Sequence, residues 1–433
     1  MIKQTGWLTS LLLAGLASAA ASAAEAPISK GHYLAMAGDC AACHTAAGGA
    51  DFAGGLKMLT PVGAIYSTNI TPDKQTGIGD YSYDDFAEAV RGGVAKDGHQ
   101  LYPAMPYTSF SKISDEDMHA LYDYFMQEVP AVKQADRDSD IPWPLSMRWP
   151  LIVWNWAFHD EERFKPDKGQ SAQWNRGAYL IQGLEHCGTC HTPRGIGFQE
   201  KALDQHDAAY LTGGTLEGWH APDLTGNQKE GIGSWSQKDI VSFLKTGWTA
   251  DTAAFGSMTD VIEHSTQHLS EEDLNAMALY LKSIKPSDPQ AAAPQQDNST
   301  RTALVKGEMS RPGAQLYMDN CAACHRTDGK GYSNAFPSLA QNPALLSDDP
   351  SSLISIVLRG GKAAVTHGAV TGLTMPDFAW RLDDQQVADL ATFVRGSWGN
   401  NASAVKAEQV KELRKNVSTV ERKDPDKQRK PQK

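Results

Sequence analysis

Past its amino terminus the chain has no apolar run near the roughly 20 residues that cross a bilayer as a helix, which excludes a polytopic membrane protein. It has no basic excess either. The 433 residues carry a formal charge of −11, and an acidic surface repels phosphate, so nucleic acid is excluded as the main partner. No clear alternation of apolar and polar residues marks strands. No grouping of acid, base and nucleophile stands out, so catalysis on an organic substrate by this chain alone is not expected, and no catalytic residue is assigned. No cysteine stands alone, because all six fall in three matching pentapeptides. At roughly 150 residues per domain the length suffices for two to four cores.

The first 24 residues read as an export signal. Lys3 gives the positive start, Trp7 to Leu16 the short apolar stretch, and Ala21-Ser22-Ala23-Ala24 a small-x-small cleavage site. An uncleaved anchor helix is the alternative, but the Ala- and Ser-rich stretch after Leu16 holds a membrane weakly. The mature chain is expected to begin near Ala24 or Glu25.

The cysteines decide between a disulfide framework and another chemistry. They stand as Cys40-Ala41-Ala42-Cys43-His44, Cys187-Gly188-Thr189-Cys190-His191 and Cys321-Ala322-Ala323-Cys324-His325. Each is CxxCH, the attachment signature of c-type haem: two thiols add to the two vinyl groups on one porphyrin edge, and the adjacent histidine comes under the iron as proximal ligand. A disulfide or zinc reading needs partners elsewhere, and no cysteine is left over. Three covalently bound haem c groups are therefore expected.

The motifs begin at residues 40, 187 and 321, and other segments repeat in step with them. Each is preceded by a helical start, at Gly31-His32-Tyr33, Gly177-Ala178-Tyr179 and Gly313-Ala314-Gln315. The first two are followed by Asn69-Ile70-Thr71 or Asp223-Leu224-Thr225, then by Gly77-Ile78-Gly79 or Gly231-Ile232-Gly233. A further helix follows each, at Tyr83 to Arg91, Gln237 to Lys245 and Pro350 to Arg359. Each repeat closes on an amphipathic helix opened by Ser114, Ser270 or Asp383, small oxygen-bearing residues that cap free amides. The expected fold is all-α, in three small units whose cores the haem completes. The expected boundaries are 25–140, 171–285 and 307–400, with a Trp/Pro-rich connector at 141–170, a flexible linker at 286–306 and a charged tail at 401–433.

An amino-terminal helix, CxxCH, a methionine loop and a closing helix together resemble class I cytochrome c, so the resemblance implies three tandem class I cytochrome c domains. It also implies a sixth iron ligand from the loop before the last helix. The matching positions are Met105 in Tyr102-Pro103-Ala104-Met105-Pro106, Met258 in Phe255-Gly256-Ser257-Met258-Thr259, and Met375 in Leu373-Thr374-Met375-Pro376-Asp377. Met105 and Met375 carry the Met-Pro pair. Met258 does not, and His264 and His268 stand close by as rivals. The iron ligands implied are thus His44 with Met105, His191 with Met258 and His325 with Met375. A thioether favours ferrous iron, and iron closed on both sides passes electrons without performing chemistry.

Between the first two repeats, Ile141 to Phe158 holds four tryptophans and three prolines with Arg148 inside, which forbids a spanning helix. It reads either as a connector packed on the haem units or as a surface for a partner subunit, the bilayer interface or a quinone; the readings are compatible. The tail from Lys406 to Lys433 has ten Lys/Arg and five Asp/Glu, so it is net +5. It reads as a solvated end, with anionic lipid the alternative.

Over nearly the whole mature chain, the order of three haem repeats, Val153-Trp154-Asn155 in the connector, Trp174-Asn175-Arg176-Gly177-Ala178-Tyr179-Leu180, and Cys-Gly-Thr-Cys-His-Thr-Pro-Arg-Gly from Cys187 to Gly195 resemble one family. It is the three-haem cytochrome c subunit of bacterial membrane-bound periplasmic dehydrogenases for alcohols, aldehydes, gluconate, sorbitol or fructose. That resemblance implies a partner subunit containing flavin, pyrroloquinoline quinone or molybdopterin, and delivery of electrons to membrane ubiquinone. It also implies a periplasmic location at the face of the inner membrane, with peripheral contact. A free periplasmic carrier is the alternative, and a multihaem peroxidase or nitrite reductase would need an open iron.

Overall fold

The computed structural model describes residues 28–60 and 62–417, so the export signal read in residues 1–24 and the end of the charged tail, 418–433, lie outside the described residues. The first repeat comprises α1 (Lys30–Ala37), α2 (Cys40–His44), β1 (Lys57–Thr60), β2 (Gly63–Tyr66), α3 (Tyr83–Ala87, carried to Gly92 by a wide π turn), α4 (Tyr107–Phe110) and α5 (Asp115–Gln127). After connector helix α6 (Pro150–Phe158) the second repeats the scheme: α7 (Ala172–Tyr179, carried to Leu184 by a π turn), α8 (Gly188–His191), β3 (Gly214–Leu216), β4 (Trp219–Ala221), α9 (Gln237–Thr246), α10 (Met258–His264) and α11 (Glu271–Ser283). Helix α12 (Ser299–Val305) leads to the third: α13 (Ala314–Asn320), α14 (Ala322–His325), α15 (Pro343–Leu346), α16 (Ser351–Arg359), β5 (Gly361–Lys362), β6 (Thr374–Met375) and α17 (Asp384–Arg395). Helix α18 (Ala407–Val417) follows.

The all-α expectation is overturned. The described residues are 39% helical with 8% strand, and each repeat carries a two-stranded antiparallel hairpin. These strands are two to four residues long, too short for a period of two to show in sequence. The β3–β4 hairpin turns through Glu217 and Gly218, both at positive φ (54° and 80°), the geometry of a primed two-residue turn whose right-handed twist matches the strands.

The helical frame follows from capping and from one close approach. Ser114, Ser270 and Asp383 accept from the backbone amides of Asp117, Asp273 and Gln386, and so open the closing helices α5, α11 and α17. Each closing helix then crosses the amino-terminal helix of its own repeat at a glycine. A Cβ on Gly31, Gly177 or Gly313 would lie 2.0, 2.0 or 2.2 Å from the carbonyl oxygen of Ala120, Ala276 or Asp389. Only glycine permits backbones that close, which explains why the repeats begin on it.

The first two repeats share one apolar core, from Leu34 to Ile284, whereas the third builds its own from Leu304 to Val410. A reciprocal exchange locks the first pair: the Tyr33 hydroxyl donates to Asp273 at 2.6 Å, and the Tyr179 hydroxyl donates to Asp117 at 2.6 Å. Each tyrosine thus reaches the closing helix of the other repeat, and Arg176 adds two bonds to Asp273. Part of the segment read as a linker is ordered differently, because α12 buries Thr300 and Leu304 against the third core. Part of the tail also folds back: Val410 is buried, and Arg414 in α18 donates to Asp384, Ala379 and Leu382.

Candidate haem sites

In each CxxCH motif the short helical turn puts both thiols and the histidine on consecutive faces of one loop of backbone. The cysteines are all free thiols, and no group of His, Cys, Asp and Glu suited to a metal ion occurs among the described residues. Burial pushes the thiols of Cys40, Cys43 and Cys321 up to about 12 and that of Cys190 to about 11, and raises Cys187 also. At neutral pH these groups are protonated thiols.

The histidines give the sharper test of fit. Nδ1 of His44 lies 2.8 Å from the carbonyl of Thr68, that of His191 2.7 Å from Pro222, and that of His325 2.9 Å from Pro337. A carbonyl only accepts, so each Nδ1 carries the proton and each Nε2 keeps a free lone pair. Burial lowers the imidazoles of all three, His191 to about 4, which keeps them neutral and able to ligate. Fixed ring, fixed tautomer and free Nε2 are what a proximal haem ligand requires, and the structure builds this three times. Sequence reasoning missed the three carbonyls. A signal was present: Thr68 and Pro222 stand immediately before the repeated Asn69-Ile70-Thr71 and Asp223-Leu224-Thr225 segments.

The methionines are placed as follows. Met105, in the turn before α4, and Met258, at the first position of α10, pack partly buried against the core that also receives Cys40 and Cys187. Met375, on β6, packs against the third core together with Cys321. Of the rivals to Met258, His264 bonds through Nδ1 to the Asp260 carbonyl on the surface, and His268 faces His367 of the third repeat at 6.0 Å between ring centres.

Attachment turns one and two lie near each other across the shared core. Helix α2 packs against α10, and the Cys43 thiol lies within electrostatic range of Glu217, Cys190 and Asp260 of the second repeat. Between them sit two buried carboxyls, Asp39 and Glu185, each just upstream of a CxxCH. Burial pushes Glu185 up to about 8, the Ser265 hydroxyl donating to it at 3.1 Å, and raises Asp39 as well. A carboxyl that keeps its proton to about 8 when folded and releases it near 4.5 when unfolded favours folding below about 4.5, and that contribution is lost as the pH rises to 8. Glu185→Gln is therefore expected to raise stability at pH 9 by a few kcal/mol, on the order of 2 to 5, with the gain shrinking toward pH 5. Thermal melts across that range check it; a gain independent of pH would show that Glu185 does not titrate there.

The sequence profile of the cytochrome c family matches residues 28–128, 175–285 and 310–398. The chain belongs to the cytochrome c family. It is 55% identical over 397 residues, 90% of each chain, to the gluconate 2-dehydrogenase cytochrome c subunit of Pantoea cypripedii. It is 47% identical to the cytochrome c subunit of alcohol dehydrogenase (quinone) of Gluconobacter oxydans strain 621H, over 92% of this chain and 84% of the relative. The fructose dehydrogenase cytochrome subunit of Gluconobacter japonicus is 39% identical over 95% and 89%. The chain thus falls within the group of cytochrome c subunits of dehydrogenases, and it is an electron-transfer protein that carries covalently bound haem c.

The connector completes the surroundings of this cytochrome's first site. Asn155 of α6 accepts from the Tyr107 hydroxyl at 2.7 Å and donates to Gln100, while the Arg148 guanidinium lies 3.6 Å from the Tyr102 ring centre, on both flanks of Met105. The other side of the connector is bare. Trp143 is 80% and Trp156 86% exposed, and the loop holding Ile196 and Phe198, tied to α6 by the Trp154 indole on the Gly197 carbonyl, extends the apolar surface. No helix among the described residues is long and apolar enough to cross a membrane.

Proposed function

We propose that this cytochrome accepts electrons from a partner dehydrogenase subunit, passes them along three haem c groups and delivers them to ubiquinone at the periplasmic face of the inner membrane. The observation that carries the proposal is the threefold recurrence of a CxxCH histidine, half-buried at His44 and His191 and buried at His325, with Nδ1 held by a carbonyl and Nε2 free, in a chain alike over nearly its whole length to dehydrogenase cytochrome subunits. Cys40 and Cys43, Cys187 and Cys190, and Cys321 and Cys324 would hold the three groups, with His44, His191 and His325 below the irons and Met105, Met258 and Met375 above. Haem c held by these cysteines, histidines and methionines would supply a one-electron couple and would leave no open site for chemistry.

The residues around the groups do the remaining work. Carbonyls fix the proximal rings, apolar cores exclude water, and the shared core of the first two repeats keeps two attachment turns side by side. The substrate-oxidising cofactor, flavin, pyrroloquinoline quinone or molybdopterin, belongs to the partner. The bare tryptophan surface of the connector, with Trp143 and Trp156, is the proposed membrane contact, since indole favours the wet edge of a bilayer.

Anaerobic reduction of the haem α-band in the detergent-solubilised complex tests the reading, with gluconate, alcohols, aldehydes and sugars as reductants and the isolated chain as control. One substrate class should reduce the haems only when the partner is present, and a ubiquinone analogue should then reoxidise them. If no substrate reduces them and no larger subunit co-purifies, the chain is a free carrier. A Trp143→Ser/Trp156→Ser variant should lose membrane association; retention on the membrane would remove the connector surface as the contact.

A further inference from the structure

Hairpin β3–β4 touches the proximal ligand proposed for the second haem and, from its other side, the residues that lead into the proposed distal one. On the proximal side, Gly213, just before β3, donates its amide to the His191 carbonyl at 2.8 Å, and Pro222, just after β4, accepts from His191 Nδ1. On the distal side, the Trp219 ring packs on the Gly256 backbone, where a Cβ would fall 2.8 Å from Cδ2, and meets Phe255 edge-on at 5.9 Å between centroids. Those two residues lead through Ser257 into Met258. Gly256 holds a positive φ of 61°, so this approach is built on a backbone that side-chain-bearing residues avoid.

Helix α16 of the third repeat grips the same hairpin. The Ser352 hydroxyl accepts from the His220 amide at 2.9 Å and donates to its carbonyl at 2.8 Å, standing in for a neighbouring strand on the open edge of β4. The Ser355 hydroxyl donates to the Gly218 carbonyl at 2.6 Å, and Thr215 donates to Asp349 at 2.6 Å. At the helix end, the Arg359 guanidinium lies 5.4 Å from the Trp219 ring centre and beside the charge of Glu217.

Arg359 also departs from its counterparts in the other repeats. Arg91 and Lys245, at the matching position, donate to the carbonyls of Ile113 and Leu269, each just before the cap of the closing helix. In the third repeat Arg414 of α18 donates to the matching Leu382 carbonyl instead, at 2.8 Å. Arg359 is thereby released to reach across to the second repeat.

We propose that α16 clamps the hairpin so that seating of the third repeat sets the axial ligation of the second haem, with Arg359 and Trp219 as the positioning residues that transmit it. The proposal rests on His191 and Met258 being that haem's ligands. Loosening the clamp lets Met258 withdraw; a tenfold loss in the thioether's preference for ferrous over ferric iron lowers that midpoint by about 59 mV, the one-electron equivalent of a factor of ten.

The experiment is a redox titration of the full chain with three resolved transitions, together with the methionine-to-iron charge-transfer band of the ferric protein. Met258→Ala marks the second haem: one transition should fall steeply and about a third of the band should vanish. Arg359→Ala should lower that same transition by the tenfold equivalent and weaken the band, leave the other two transitions in place, and be rescued by Arg359→Lys. Ser352→Ala/Ser355→Ala, which removes hydrogen bonds from the hairpin without touching a charge, should move the same transition the same way and serves if Arg359→Ala does not accumulate. If Met258→Ala marks a transition that neither clamp variant moves, the clamp is refuted while the ligand assignment stands. If Met258→Ala changes no transition and no band, the ligand assignment itself falls, and the clamp with it.

Discussion

Gly177→Ala is expected to disrupt the fused first and second repeats. Its new Cβ would stand 2.0 Å from the Ala276 carbonyl oxygen and 2.5 Å from its carbon. Both are backbone atoms, so no rotamer relieves the clash and α7 must part from α11, where Trp174, Ala178, Leu274, Met277 and Leu281 are buried together. Overpacking costs typically 1–3 kcal/mol and more when backbone must move, so a loss of at least about 3 kcal/mol and of roughly 10 °C in the first transition is expected. The sign is diagnostic, because at an open helical site alanine improves on glycine by about 1 kcal/mol. Gly183, in the same helical run, is the control: its Cβ would meet Lys112 at an ordinary 3.6 Å, and Gly183→Ala should be neutral or mildly stabilising. Equal behaviour of the two variants in thermal melts would show that the crossing is looser than described.

Replacing His191 by alanine should cost more than any distal change. It removes the proposed proximal ligand and leaves the half-buried Pro222 carbonyl without its donor. Losing a hydrogen bond of this kind costs about 1 kcal/mol, and losing the iron ligand adds to it. The expected product holds two haems per chain in place of three and has a destabilised second repeat, measured by pyridine haemochrome against protein and by intact mass. Met375→Ala, in contrast, should keep three haems and lose only the charge-transfer band of the third. A His191→Ala protein with three haems and unchanged melting would show that His191 is not a ligand.

Much of the chemistry was legible in the chain because it is local. Two thiols and a histidine within five residues occupy one helical turn whatever surrounds them, and Ser114, Ser270 and Asp383 announce their helices through bonds spanning three residues. The glycines that begin each repeat were visible too, although their reason, a backbone crossing, was not. The short hairpins escaped because strands of two to four residues carry no periodicity, and an all-α reading resulted.

What the sequence by itself determined is therefore the attachment chemistry and the threefold order of its units: five contiguous residues with fixed spacing set the first, and repetition of that local pattern sets the second. The tertiary structure decided which carbonyls hold the histidines, 24, 31 and 12 residues away, and that two units share a core through crossed Tyr33–Asp273 and Tyr179–Asp117 pairs. It also decided that Arg414 takes over the contact that frees Arg359. Such pairings arise when remote segments are buried together and each polar group must find a partner, a condition set by packing across the whole chain and by no local run of residues.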